Sequence, residues 1–218
     1  INAMRRCGFD SFAPARPLDM AAVERALAAG VSRVVEAVRF GPQLPGTTYG
    51  RYPDGAGELT VLRSGSPGAA NVEPAVGEAV ISEIHFGPPA GSRRPPFIEI
   101  TNLLAGPLDL SGWQLSGGVS HVIPAGTVVA AGGQLAVTTF SGSLNRGVGE
   151  RIRLRKPVAV SGTDPADLMF PVVDEVTYGT GGRWGRWSDG GGSTLELKDL
   201  RSDGRRAASW ADSDESGE

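Results

Sequence analysis

The chain is poor in the residues that staple, ligate and react. One cysteine, Cys7, stands among 218 residues, so no intrachain disulfide framework can form. A zinc site needs several His or Cys ligands at short spacing, and the only histidines are His85 and His121. The same scarcity argues against Cys–His catalysis, and no GxSxG elbow offers an activated serine. No apolar run approaches the ~20 residues that span a bilayer as a helix, so membrane insertion is not expected. No charge of one sign dominates. The formal net charge is -3, with eight Arg against seven Asp/Glu in residues 1–75 and thirteen Lys/Arg against seventeen Asp/Glu thereafter. That balance gives no broad footprint for nucleic acid or an anionic membrane. The sequence opens on Ile1 rather than Met, so its natural start is expected upstream, and the lack of a basic-then-apolar signal says little about location.

Glycine and proline are abundant instead, 32 and 16 residues. Without a Gly-X-Y period this composition points to short strands joined by tight turns. Ala79–Phe86 (AVISEIHF) alternates, with Val80, Ser82, Ile84 and Phe86 expected on one face and Ile81, Glu83 and His85 on the other. Phe97–Thr101 follows a Pro-rich loop and ends in an Asn turn. LDLSGW (Leu108–Trp113) turns into Gln114–Ser116. His121–Ile123 and Gln134–Thr138 flank the IPAG and AAGG turns. In Glu150–Arg155, Ile152 and Leu154 face in while Arg151, Arg153 and Arg155 face out. Val172–Tyr178 and Thr194–Leu197 complete about eight strands. The spacing suits an all-β, two-sheet antiparallel sandwich, and no βαβ alternation appears.

The chain also repeats itself. VVEAVRFG (Val34–Gly41) returns as VVDEVTYG (Val172–Gly179), and YGRYPDG (Tyr49–Gly55) as WGRWSDG (Trp184–Gly190). Arg63-Ser64 returns as Arg201-Ser202, and LTVL (Leu59–Leu62) has an analogue in LELKDL (Leu195–Leu200). The offset is 138 residues at the outer pairs and 135 in the middle, too long for a solenoid unit. Residues 1–72 are therefore expected to be the closing part of a preceding domain, lacking roughly its first 59 positions; the plainer alternative is two similar glycine-rich hairpins. Residues 79–210 are expected to be a complete copy, and 211–218 an acidic tail. The Pro- and Gly-rich Arg63–Gly77 stretch reads as linker into residues 73–78. Asp19 as N-cap, an alanine-rich run and Gly30 as stop predict a helix over Asp19–Ala29.

In order and spacing, VISEIHF, FIEITN, LDLSGWQLSGG, IPAGTVVAAGGQLAV, GERIRL and VVDEVTYG resemble the lamin-tail domain of bacterial proteins. The resemblance covers about residues 79–210. It implies an immunoglobulin-like β-sandwich, a non-catalytic module, and an extracellular or cell-surface setting beside enzymatic or adhesive domains. It also implies acidic residues at Glu83 and Glu99. The Pro157–Pro171 loop is longer than the resemblance leads one to expect.

Two constellations carry candidate chemistry. Glu83 and Glu99 sit in adjacent strands, and paired carboxylates serve acid/base work or Ca²⁺ binding. Asp109 and Asp174 are the residues that could add oxygen ligands. The plainer alternative is that both glutamates cap loop backbone or pair with the outward arginines. No cofactor is expected otherwise. Arg183, Trp184, Arg186 and Trp187 interleave bases with aromatics, echoed by Arg51 and Tyr52. They can stack on nucleic-acid bases or platform a sugar, or the tryptophans can cap the open end of the sandwich. Arg201–Arg206 (RSDGRR) and the acidic end read as solvated terminus or interdomain linker. The sequence thus points to an interaction or spacer module with a protein or cell-surface partner. The alternative is an accessory module for an attached enzyme that binds nucleic acid or glycan through the Trp184/Trp187 loop.

Overall fold

The computed structural model describes residues 28, 38, 40–55, 59–89, 91–92, 94–159 and 167–213. The chain divides into one unit of residues 1–41 and a second of residues 42–218. The expected helix over Asp19–Ala29 lies outside the described residues except for Ala28, which is helical. Most of Val34–Gly41 lies outside them too.

The second unit opens with a hairpin of β1 (Thr48–Arg51) and β2 (Leu59–Leu62), paired antiparallel. The stretch expected as linker does not run free behind it. Arg63 N–H donates to Glu73 O, Ala75 N–H donates to Val61 O, and Leu62 bridges Pro74. The other edge of β2 is therefore covered, and Leu62 is buried.

The rest is the expected immunoglobulin-like sandwich. The first sheet contains β3 (Ala79–His85), β4 (Phe97–Asn102), β9 (Gln134–Val137), β15 (Leu195–Leu197) and β16 (Trp210–Asp212), in the order β16-β15-β3-β4-β9. The second contains β6 (Gln114–Gly117), β7 (Val119–Val122), β10 (Ser141–Gly142), β11 (Glu150–Arg155) and β14 (Val172–Tyr178), in the order β10-β7-β6-β11-β14. Two ribbons complete it: β5 (Leu108–Asp109) with β8 (Val128–Val129), and β12 (Val158–Ala159) with β13 (Leu168–Met169). The second ribbon accounts for the length of the Pro157–Pro171 loop. The chain crosses repeatedly between the sheets, so neither sheet can form alone.

Inward side chains of both sheets meet in one buried cluster, with Ile81, Ile84, Ile98 and Ile100 from the first and Leu115, Ile152, Leu154 and Val176 from the second. Each such side chain contributes about 1.5–3 kcal/mol by leaving water. The alternation in Glu150–Arg155 holds as expected, with Ile152 and Leu154 inside. In β3 it does not. The pairing with β4 shifts between Ile81 and Glu83, leaving Ser82 as the extra residue of a β-bulge. The bulge reverses the phase, so Ile81 shares the core face with Ile84, while Val80 and Ser82, both still buried, fall on the face of Glu83 and Glu99. A period-2 pattern carries no trace of such an insertion.

The family-like motifs prove to be fasteners. Asn102, buried at the end of β4, donates through Nδ2 to Gly106 O, Val129 O and Ala130 O, and its Oδ1 accepts Leu104 N–H. Asp109 Oδ1 accepts Ser111 N–H, and Ser111 Oγ accepts Gly126 N–H at 2.8 Å. The LDLSGW and IPAG turns are thereby bolted together.

Candidate functional site

The fold brings Glu83 and Glu99 directly opposite each other across β3 and β4, as their placement in adjacent strands suggested. It adds a third carboxylate that sequence reasoning missed, because Glu196 of β15 lies opposite Glu83 on the other side. Burial raises the Glu99 carboxyl above its ordinary range; the Ser82 hydrogen bond opposes this and the Glu83 charge adds to it. Burial raises Glu196 too, helped by the charges of Glu83 and Glu99. Glu99 Oε1 already accepts Ser82 Oγ–H at 2.7 Å and Gln134 Nε2–H at 3.0 Å. The outward arginines do not reach this row. Arg151 and Arg153 lie on the second sheet and pair with Glu175 of β14.

Neither suggested extra ligand joins the row. Asp109 is held by Ser111, whose hydroxyl and N–H lower its carboxyl. Asp174 of β14 accepts Ile81 N–H of β3 at 2.8 Å and so ties one sheet to the other. Desolvation pushes the carboxyl up to about 7, against the N–H bonds of Ile81 and Glu175. Among the described residues no group of three or more His, Cys, Asp or Glu is placed to hold a metal ion. The histidines stay apart as well. His85 is buried edge-to-face against Phe97 at 5.4 Å, while His121 lies on β7 of the other sheet.

The Arg183–Trp187 segment divides its two tryptophans. Trp184 is half-buried against the core and lies over Gly179, where a Cβ would come within 2.7 Å of its ring. This ring caps the sandwich. Trp187 does not, because 67% of it is exposed. Arg183 and Arg186 are exposed too, and neither forms an ion pair among the described residues.

The loop that presents Trp187 is fixed from below. Asp212 of β16 accepts Trp187 N–H at 3.1 Å, Ser188 N–H at 2.9 Å and Ser188 Oγ–H at 2.8 Å. Burial works against the Asp212 charge, but these donors and the Arg186 N–H outweigh it and hold the carboxyl below its usual range. Gly185 has no room for a Cβ because the Asp212 carboxylate sits against it. Gly191 N–H closes the far side by donating to Trp187 O at 2.9 Å, and Gly191 lies so close to the indole that a Cβ would meet ring atom Cε3 at 2.9 Å. One edge of the ring is thus backed by main chain.

A neighbouring turn completes this end of the sandwich. Tyr178 stacks on Phe86 and donates its hydroxyl to Asn145 O; burial holds that hydroxyl well above its ordinary pKa. Thr180 Oγ1–H bonds Gly147 O, and Arg146 reaches Asp189 at 3.4 Å, a long and exposed contact. Arg146 therefore joins the cations near the loop, and Val148 is 80% exposed beside it.

Two expectations for the C-terminal stretch need correction. Ala211 and Asp212, read as acidic tail, are the last residues of β16. Nor is RSDGRR simply solvated: Arg201 is exposed, but Arg205 and Arg206 are tied down. Asp203 is gripped by Arg205 through two bonds of 2.8 Å and by Arg206 at 3.2 Å, and Trp210 Nε1–H donates to Gly204 O. The signal for Asp212 lay only in a short apolar-acidic triplet, Trp210-Ala211-Asp212, too brief to read as a strand.

A family model, the Lamin Tail Domain, matches residues 73–212. Comparison with curated proteins and with solved structures gave no match. No helix among the described residues is long and apolar enough to cross a membrane.

Proposed function

The chain belongs to the lamin tail domain family, a family of immunoglobulin-like interaction domains, and on that premise we propose that it is a non-catalytic interaction module of an exported or cell-surface bacterial multidomain protein. The observation that carries this reading is the exposed Trp187 on a loop clamped by Asp212. A loop free to move would fold an indole back onto apolar surface. Here the bonds to Asp212 and Gly191 keep the ring outside, where Trp and Arg are the residues that most often dominate binding. Residues 31–72 fit the remnant of a preceding copy in a tandem array, which gives the module a spacer role as well. No cofactor enters this role, and millimolar Ca²⁺ is expected to leave the melting temperature unchanged.

The test is made in the native host. The parent protein is expected to fractionate with the cell envelope or medium, and Trp187→Ala with Arg186→Ala to release it without lowering the melting temperature. Retention unchanged by the double substitution would remove the loop as the contact surface. A wholly cytosolic wild-type protein would remove the exported setting.

A further inference from the structure

Resting on the reading of the Trp187 loop as the contact surface, we propose that its ligand is an acidic glycan, one uronate ring of which lies on the open side of the Trp187 indole with its carboxylate held by Arg186 or Arg183. Gly191 backs the ring at Cε3, and 67% of Trp187 is exposed. An indole this exposed can offer a ring face to a ligand. An indole face carries negative charge density, and the partly positive C–H face of a pyranose matches it. The guanidinium forks of Arg183 and Arg186 fit a carboxylate with two parallel N–H bonds, and no acidic side chain of the described residues occupies them. A uronate carries both features in a single ring, so one exposed tryptophan suffices.

Single-stranded nucleic acid fits less well. Its binders track the backbone with a basic groove and stack successive bases on several aromatics. Here Trp184 is committed to the core, and two of the three RSDGRR arginines, Arg205 and Arg206, are committed to Asp203. The acidic row of Glu196, Glu83 and Glu99 lies on the first sheet of the same sandwich. A short anionic contact at the loop is what remains. A neutral glycan would use the ring and leave both forks unfilled.

The experiment uses the full chain in affinity electrophoresis and tryptophan-quenching titrations. Three probes are compared: an alginate oligomer as polyuronate, a neutral β-glucan oligomer of the same length, and a (dT)12 strand. Binding is expected for alginate only. Trp187→Ala should weaken it about tenfold and the Arg183→Gln/Arg186→Gln pair at least about tenfold, while Trp187→Phe retains most of the affinity. Equal binding of the neutral glucan would overturn the role of the forks, and preference for (dT)12 would overturn the glycan. Alginate binding that survives Trp187→Ala would overturn the site. Absence of binding to all three sinks the glycan inference alone, provided Trp187→Ala with Arg186→Ala still releases the parent protein from the envelope.

Discussion

YGRYPDG at Tyr49–Gly55 and WGRWSDG at Trp184–Gly190 are nearly the same sentence folded two ways. The first begins as strand β1 and pairs with β2. The second makes no strand, and its turns wrap around Asp212. Two local differences account for this. Pro53 stands where the second segment has Ser188, and proline has no N–H of the kind Ser188 gives to Asp212. The neighbouring edge differs as well. In the second segment's domain β15 is paired on one side by β3 and on the other by β16, so no edge is left for Trp184–Trp187 to join. Around β2, among the described residues, Glu73–Ala75 covers one edge and leaves the other to β1. Even the shared glycine serves different neighbours: Gly50 lies under the Leu62 side chain and Gly185 under the Asp212 carboxylate. Sequence likeness here preserves the sites of close approach and not the conformation.

The largest expected effect comes from removing what holds the second segment in its turn. Asp212→Ala strands the backbone N–H groups of Arg186, Trp187 and Ser188 and the Ser188 hydroxyl, and should destabilise the domain by about 3 kcal/mol in urea denaturation at pH 7. Gly185→Ala displaces the same carboxylate and should approach that loss. The clamp also fixes a pH dependence. The folded carboxyl of Asp212 titrates below its unfolded value, so its stabilisation is complete above an unfolded pKa of about 3.9 and disappears as pH falls through the depressed folded value. Asp212→Asn should lack that component. If Asp212→Ala melts like the wild type, the turn is held by something other than this carboxylate, and the contrast with Tyr49–Gly55 loses its cause.

That clamp marks the limit of what could be read in the chain. The sandwich was legible because alternation and turn residues are local, and because Asn102, Asp109 and Ser111 act within turns their own sequence announces. Ile152 and Leu154 faced inward as their alternation requires. The bulge at Ser82 was not legible, since the inserted residue looks like any other until its partner strand is known. Glu83 and Glu99 could be placed side by side from strand order, yet Glu196 joined them only through a pairing between residues 113 positions apart. Asp212 is 24 residues from Ser188 in a strand of three, so no periodicity pointed to it. The division of labour between Trp184 and Trp187 was equally hidden, because both belong to one motif and burial alone separates them.

The two tryptophans sharpen the comparison at intermediate size. Trp184→Ala should cost about 2 kcal/mol, below the 3–5 of a fully enclosed aromatic, because the ring is half-buried over Gly179. Differential denaturation of the two variants measures this directly, and a cost near zero would deny that Trp184 caps the sandwich. Smaller still is Gly50→Ala in the first segment. Its Cβ would meet Leu62 Cδ1 at 2.8 Å, the far end of a flexible side chain, so a loss of about 1 kcal/mol is expected. A loss as great as that of Gly185→Ala would mean the hairpin is held as rigidly as the Asp212 turn.

The smallest effect on stability is the one with the most to say about function. Trp187→Ala removes a ring that is 67% exposed and whose main-chain bonds to Asp212 and Gly191 survive the substitution. Its stability should lie within about 0.5 kcal/mol of the wild type. A domain has no folding reason to keep a large indole in water, and the clamp that keeps it there holds other groups of the loop in place at the same time. A change well beyond that margin would show that the ring contributes to the fold like Trp184, and the two tryptophans would then share one structural role. A null effect on stability joined to a loss of association separates them: one ring closes the sandwich, and the other is held out from it for a partner.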